Sequence, residues 1–207
     1  MRQSIRVFSL VLVLALFSAC AQQQAPPQTG GDRGSVQVYF SPKGGATEAA
    51  VRELNGARRA VRVQAYSFTS QPIAKALLEA KKRGVDVEIV VDKSQRSERY
   101  TAADFTANQG IPTFVDDRHA IAHNKIILID GETILTGSFN FTKAAEERNA
   151  ENLLVIKGFP DLMRQYEENY ELHKAHSEVH RGKAEQAMME EEEESVSGRG
   201  KQSGRRR

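Results

Sequence analysis

The chain has 207 residues, of which 40% are hydrophobic and 27% are charged, and its formal net charge is +2. Its one cysteine excludes an intramolecular disulfide, a cysteine zinc site and a redox pair. Residues 35–180 carry a charge of −1 once two leader arginines and a tail of seven basic and six acidic side chains are set aside, which argues against a high-affinity structural DNA-binding protein.

The first 20 residues have the order of an export signal. Two arginines precede an apolar run over residues 7–17, which is too short for a membrane span, and small residues follow. Residues 17–20, Phe-Ser-Ala-Cys, resemble a bacterial lipobox, with Phe where Leu is usual. We therefore expect lipidation of Cys20 and an exported protein anchored in the outer membrane. Ordinary cleavage after Ala21, which gives a freely soluble periplasmic or secreted protein, is the alternative.

Residues 21–34 are rich in Gln, Pro and Gly and lack apolar periodicity, which predicts a flexible linker. Apolar patterns then predict a single domain over residues 35–180. The predicted strands cover residues 35–40, 60–68, 85–92, 112–115, 125–129, 133–137 and 151–156. The predicted helices cover residues 47–57, the segment from Pro72 to a C-cap at Gly84, the segment from a capping box at Thr101 to Gly110, and residues 160 to about 180. Alternating strands and helices indicate an α/β fold, an α-β-α sandwich with a mixed β-sheet.

Residues 123–142 carry the strongest functional signal. His123, Lys125 and Asp130 stand in the order H-x-K-x4-D, and after six further residues comes the tetrapeptide Gly137-Ser138-Phe139-Asn140. Residues two apart on a strand point to the same face, so His123 and Lys125 project together.

These residues resemble the signature of the HKD phosphodiesterases, and that resemblance implies attack on a phosphodiester. The residue types suit such a substrate. Its anionic oxygens need fixed positive charge and hydrogen-bond donors, which Lys125, Ser138 and Asn140 supply. A neutral imidazole, such as that of His123, is a nucleophile near neutral pH. Asp130 ends an apolar run and precedes Gly131, so it is predicted to fix a turn rather than to act as a catalytic acid.

The whole arrangement resembles the signature of the phospholipase D superfamily, the HKD phosphodiesterases. Agreement over residues 36–175 narrows the resemblance to the small bacterial Nuc-type nucleases, which carry one motif per chain. It includes the stretches Val-Tyr-Phe-Ser-Pro at 38–42, Ala-Tyr-Ser-Phe-Thr at 65–69 and Lys-Lys-Arg-Gly-Val-Asp-Val at 81–87.

The resemblance implies a candidate catalytic set of His123, Lys125, Asp130, Ser138, Asn140 and Glu151. In such proteins a carboxylate at the position of Glu151 hydrogen-bonds the catalytic imidazole, which fixes its tautomer. One histidine attacks phosphorus and forms a phosphohistidine, and a second protonates the departing oxygen. A single motif therefore implies a homodimer with the site on its two-fold axis. Neither a metal nor another cofactor is expected, because the two lysines supply the positive charge.

The reaction is better specified than the substrate. We expect an endonuclease of low sequence specificity acting on DNA or RNA outside the cytoplasm. The alternative is a phospholipase D that hydrolyses phospholipid head groups at the membrane to which the anchor holds it. A third class, a lipoprotein that binds DNA or envelope phosphates without turnover, is disfavoured because binding needs no nucleophile.

Three histidines lie near the end of the last predicted helix. His173, His176 and His180 have the spacing i, i+3 and i+7, so they either form a metal site or are polar-face residues favoured by the helix dipole. The second interpretation is preferred, and His119 with His123 is not expected to form a metal pair. Residues 181–207 contain runs of Glu and of Arg without apolar periodicity, which predicts a disordered charged tail.

Overall fold

The computed structural model describes residues 34–96 and 101–182. The predicted export signal over residues 1–20, the linker up to residue 33 and the charged tail from residue 183 lie outside the described residues. Within the described ranges, no helix has the length and apolar character that crossing a membrane requires.

The elements alternate between strands and helices along most of the chain. The strands are β1 Ser35–Phe40, β2 Ala60–Ala65, β3 Asp86–Asp92, β4 Thr113–Asp116, β5 Lys125–Ile129, β6 Thr133–Gly137, β7 Asn152–Lys157 and β8 Glu178–Val179. The α-helices are α1 Ala46–Gly56, α2 Gln71–Lys82, α3 Ala102–Asn108, α4 Lys143–Glu147 and α5 Pro160–Ala175, and Lys93–Arg96 forms a short 3₁₀ helix.

All eight of these strands form one mixed sheet in the order β1-β7-β6-β5-β2-β3-β4-β8. Strands β2, β3 and β4 are parallel, and the other neighbouring pairs are antiparallel. The parallel part is the product of two strand–helix–strand crossovers through α2 and α3. The central strands β2 and β5 therefore carry mostly buried residues, as strands covered on both faces do.

Helices cover both faces of the sheet. On one face Leu54 of α1 and Leu77 of α2 are fully buried in the cluster that contains Ile127 of β5. On the other face Met163 and Tyr170 of α5 pack with a second cluster that contains Ile126 and Leu128. Alternate residues of β5 thus face opposite layers, as the two-residue period of a strand requires. The predicted α-β-α sandwich with a mixed sheet is confirmed.

Three local differences from the predicted elements occur. Strand β2 ends at Ala65, and Phe68 instead makes an isolated bridge to Phe141. Helix α5 ends at Ala175, well before residue 180, because the chain turns there and pairs β8 with β4. The short elements α4 and β8 have no counterpart in the sequence prediction, since elements of two to five residues leave little periodicity to detect.

Candidate active site

The motif residues meet at one end of the sheet's strands, where β2 and β6 end and β5 and β7 begin. Lys125, the first residue of β5, pairs with Ala65, the last residue of β2. On the other side of β5, Ile126 pairs with Thr136, so that Gly137 and Ser138 follow beside Lys125. The backbone N–H of Ser138 donates to the carbonyl of Asn152 at the start of β7, 3.1 Å away. Antiparallel register therefore brings segments far apart in the chain to one place.

Lys125 is a buried cation with unused donors. Only 6% of the Lys125 surface is exposed. Its Nζ donates one hydrogen bond, to the backbone carbonyl of His123 at 3.0 Å. Burial lowers the pKa of Lys125 from its ordinary value, and attraction to Glu151 offsets part of that effect. Among the described residues no other acceptor binds this ammonium, which has three N–H donors. An anionic ligand would satisfy the remaining two.

The His123 imidazole is exposed to solvent and is steadied by an aromatic ring. It packs edge-on against Tyr66, with ring centroids 4.6 Å apart and an interplanar angle of 61°. The Lys125 ammonium lies 5.0 Å from the centroid of the same tyrosine ring, within cation–π range. Sequence reasoning did not assign Tyr66 to the site. The available signal was its position near the end of the strand predicted over residues 60–68.

The Ser138 hydroxyl lies at the same end of the strands. Its Oγ accepts from the backbone N–H of Asn152 at 3.1 Å and from the Asn152 side-chain amide at 3.4 Å, which leaves the hydroxyl proton available to a ligand. Gly137 has a φ of +147°, and a Cβ there would lie 2.3 Å from the Asn152 carbonyl oxygen. Only glycine permits this close approach.

Asn140 lies two residues beyond Ser138. Its backbone carbonyl accepts from Thr142 at 2.7 Å, and the Thr142 side chain in turn caps α4. The side-chain Oδ1 of Asn140 is buried and has no hydrogen-bond partner among the described residues. The carboxamide is therefore not committed to a structural hydrogen bond through its oxygen.

Glu151 does not make the expected hydrogen bond to His123 within the described chain. Its Oε1 accepts from the Asn149 side-chain amide at 3.2 Å, and its backbone N–H donates to Ser41 at 3.1 Å. The carboxylate acts on the site through its attraction to Lys125, whose pKa it raises. Within the described chain the imidazole packs against Tyr66 and the Asn149 amide binds the carboxylate, and a role for Glu151 in orienting His123 stays a prediction.

Asp130 lies at the opposite end of β5 and does not join the site. Strand geometry places it roughly 16 Å from Lys125. Asp130 and Gly131 have φ angles of +57° and +70°, so they form the tight turn between β5 and β6. The Asp130 carboxylate accepts from the backbone N–H groups of residues 58–60 at 2.7 to 2.9 Å. Although burial opposes ionisation, these bonds hold the pKa of Asp130 below its ordinary value.

The three C-terminal histidines do not converge on one another. His180 Nε2 contacts the Asp104 carboxylate at 2.9 Å, whereas His173 and His176 lie against Asp116 together with His119. Burial opposes ionisation of Asp116, but the three imidazoles hold its pKa well below its usual range. The polar-face interpretation is therefore wrong for His173 and His176, which take part in a cluster that links α5 to the end of β4.

A cleft of about 490 Å³ borders the motif. His123, Lys125 and Gly137 lie on one side of it, and Gln165, Tyr166 and Asn169 of α5 lie on the other. The space is open to solvent, and its lining mixes polar and apolar side chains. Such a surface suits an extended, hydrated substrate better than a buried small molecule.

The domain matches known proteins over most of its length. Residues 50–173 match the family described as "Cardiolipin synthase, PLD-like domain". A protein named phospholipase D from Rickettsia typhi is 37% identical over 148 residues, which are 72% of each chain. A mitochondrial cardiolipin hydrolase from Chlamydomonas reinhardtii is 30% identical over 118 residues, 57% of this chain and 52% of that protein.

Solved structures agree with these matches. The phospholipase D family member Nuc from Salmonella typhimurium is 42% identical, has a TM-score of 0.69, and aligns over 72% of this chain and 99% of its own. NucT from Helicobacter pylori, at 20% identity and a TM-score of 0.66, aligns over 72% of this chain and 100% of its own, and shows the same fold.

Fold and motif together define a phosphodiester hydrolase whose domain has an α/β fold. The chain belongs to the phospholipase D superfamily, in its single-motif Nuc-type branch.

Proposed function

We propose that the protein hydrolyses phosphodiesters through a phosphohistidine formed on His123, and that its substrate is nucleic acid, cut with low sequence specificity. The observation that carries the proposal is the Lys125 ammonium, which is buried, has two unused donors and touches the exposed His123 through its carbonyl. A desolvated cation beside a nucleophile serves a transferred phosphoryl group and has no evident structural role.

The reaction proceeds in two displacements. A neutral ring nitrogen of His123 attacks phosphorus, a P–N bond forms, and the P–O bond to the leaving group breaks. A second, protonated imidazole gives its proton to the departing oxygen. That imidazole then takes a proton from water, whose oxygen attacks phosphorus and releases His123. Lys125 and Ser138 bind the phosphoryl oxygens in both steps.

The second imidazole comes from a second copy of the chain. Among the described residues His123 is the only histidine that lines the cleft beside the motif, so a two-histidine reaction needs a homodimer whose two-fold axis passes through the site. Two exposed apolar residues support an interface there. Ile121 is 58% exposed and lies two residues before His123, and Phe40 is 64% exposed and pairs with Asn152.

Nucleic acid is the first choice of substrate because the 42% identity with Nuc extends over nearly all of that chain. The open, solvent-exposed cleft beside the motif also suits a polymer of phosphodiesters. A phospholipid substrate is the second candidate. It is favoured by the 37% identity with the Rickettsia typhi protein named phospholipase D.

The deciding experiment offers the purified full chain plasmid DNA, single-stranded DNA, RNA and phosphatidylcholine vesicles, and repeats each assay with His123→Asn. We expect His123-dependent nicking and cutting of DNA or RNA and no release of choline. Release of choline that His123→Asn abolishes, with nucleic acid left intact, would replace the nuclease by a phospholipase D. No His123-dependent product from any of them would remove both.

We also propose that the protein is exported and anchored by a lipid on Cys20. The support is the order of charged, apolar and small residues before this single cysteine. Expressed in a bacterial host, the full chain should incorporate labelled palmitate and fractionate with the outer membrane, and Cys20→Ser should lose both properties. Unchanged processing of Cys20→Ser would instead favour cleavage after Ala21.

A further inference from the structure

Three histidines and one aspartate converge on a point away from the proposed catalytic residues. Asp116 ends β4, His119 lies in the loop that follows, and His173 and His176 lie at the C-terminal end of α5. One ligand atom from each residue can be chosen so that all four lie within 4.8 Å of one another. We propose that these four residues form a structural zinc site.

The donor atoms lie somewhat closer together than the ligands of a tetrahedral ion. The Oδ2 atom of Asp116 is 2.6 Å from His173 Nδ1, 2.9 Å from His119 Nδ1 and 3.3 Å from His176 Nε2. With metal–ligand bonds of about 2.0 to 2.1 Å, tetrahedral donors are separated by roughly 3.4 Å. A small outward shift of side chains therefore makes room for the ion.

Hydrogen bonding alone leaves this cluster incomplete. Three imidazole nitrogens crowd one carboxylate oxygen, which has only two lone pairs. His176 Nε2 consequently lies outside hydrogen-bond geometry, buried and without a hydrogen-bond partner among the described residues. Asp116 itself is 0% exposed, and no lysine or arginine of the described residues pairs with it. A divalent cation satisfies both the unpaired nitrogen and the buried negative charge.

The ligand types select zinc among the common ions. Imidazole nitrogens with one carboxylate oxygen suit Zn²⁺, whereas Mg²⁺ and Ca²⁺ require mostly oxygen ligands. Four protein ligands close the coordination sphere, which is typical of a structural rather than a catalytic site. Supporting contacts hold the ligands in place: the Arg118 backbone N–H donates to Asp116 Oδ1 at 3.1 Å, and Lys93 donates to the His119 carbonyl at 3.0 Å.

The proposed zinc site connects two parts of the chain that lie beside the motif. His119 lies four residues before His123, in the segment between β4 and β5, and α5 forms one wall of the cleft beside the motif. An ion held by both would fix the position of this segment relative to α5. The zinc therefore stabilises the segment between β4 and β5 that leads to His123, and it takes no part in the chemistry.

The first test measures bound metal in untagged full chain, since a histidine tag would itself bind zinc. After loading with Zn²⁺ and dialysis, elemental analysis should find about one zinc per chain. His173→Gln and the double variant His119→Gln/His176→Gln should lose it. His180→Gln is the matched control, because it removes an imidazole of the same segment that contacts Asp104 instead. Zinc retained equally by all variants, or absent from the wild type, would overturn the site.

A second test does not depend on variants that fold. The melting temperature of the wild type should rise with Zn²⁺, fall on chelation and remain unchanged with Mg²⁺, because only a ligand of the folded state stabilises it. Replacing zinc with Co²⁺ should give the intense visible absorption bands of a tetrahedral nitrogen–oxygen site. A melting temperature indifferent to Zn²⁺, or the weak spectrum of octahedral Co²⁺, would contradict the proposal.

Discussion

The Lys125 ammonium donates a hydrogen bond to the backbone carbonyl of His123 at 3.0 Å, and both side chains contact the ring of Tyr66. The cation and the proposed nucleophile are thus held together before substrate binds. Preorganisation of this kind is effective because no rearrangement is needed when charge develops on the phosphoryl group.

Replacing the proposed nucleophile should abolish turnover. We expect His123→Asn to lower kcat by about 10³-fold or more, as removal of a nucleophile does, while the fold is kept because the side chain is exposed. Rates and circular dichroism should be measured together, with His180→Gln as a control that removes a histidine outside the motif. A folded His123→Asn protein with substantial residual activity would rule out the nucleophile assignment.

Lys125→Met should separate function from stability. Loss of the phosphate cation should reduce kcat/KM by about 10² to 10³-fold. The melting temperature should not fall, because burial of an ammonium group disfavours folding and Met fills similar space. A large loss of stability would show that Lys125 has a structural role.

The depressed pKa of Lys125 also sets a pH dependence. Burial lowers this pKa from 10.5, so the ammonium loses its proton at lower pH than an ordinary lysine does. The rate constant kcat/KM, which reports on free enzyme, should therefore decline on the alkaline side below pH 10.5. Lys125→Arg should shift that decline to higher pH in whatever activity remains; an unchanged alkaline limb in this variant would assign the limb to another group.

Asp130→Asn should affect stability and leave the chemistry intact. The variant weakens three hydrogen bonds from backbone N–H groups to a carboxylate, which should cost on the order of 1 to 2 kcal/mol because the turn is partly solvated. The folded-state pKa is depressed, so the wild-type contribution is present above the unfolded value of 3.8 and is lost as pH falls through the folded pKa. Denaturant melts at neutral and acid pH should show this, with exposed Glu132→Gln as control. An inactive Asp130→Asn protein of wild-type stability would give Asp130 a catalytic role.

Hydrolysis should not require a divalent metal. The initial rate should survive EDTA at a temperature well below the melting transition, and added Mg²⁺ should lower it by screening the attraction between phosphate and lysine. The same EDTA treatment should lower the melting temperature if zinc is bound at Asp116. Loss of the rate with recovery by one specific ion would instead make the metal catalytic.

Local patterns were sufficient to predict the fold class and the strands that carry the motif. The bounds of β5 and β6 match the predicted 125–129 and 133–137, because strict apolar runs and an Asp-Gly turn determine them. The fixed spacing of His123, Lys125 and Ser138 likewise requires only short-range geometry.

Contacts between residues far apart in the chain could not be predicted from local sequence patterns. The cluster at Asp116 joins residues 57 positions apart, and only the path of the chain after β4 brings His119 to His173. Tyr66 reaches the motif through the pairing of β2 with β5. Glu151 was predicted from its position in the sequence. Its hydrogen-bond partner depends on the three-dimensional packing, which places the Asn149 side-chain amide 3.2 Å from its carboxylate.

The most direct test of the shared catalytic centre is a mixing experiment. Wild type and His123→Ala chains are combined at constant total concentration under conditions that allow subunit exchange, and dimer formation is verified by light scattering. If each centre needs an imidazole from both chains, activity should fall as the square of the wild-type fraction, to about a quarter in an equal mixture. A linear fall to about one half, or a fully active monomer, would contradict the two-histidine mechanism.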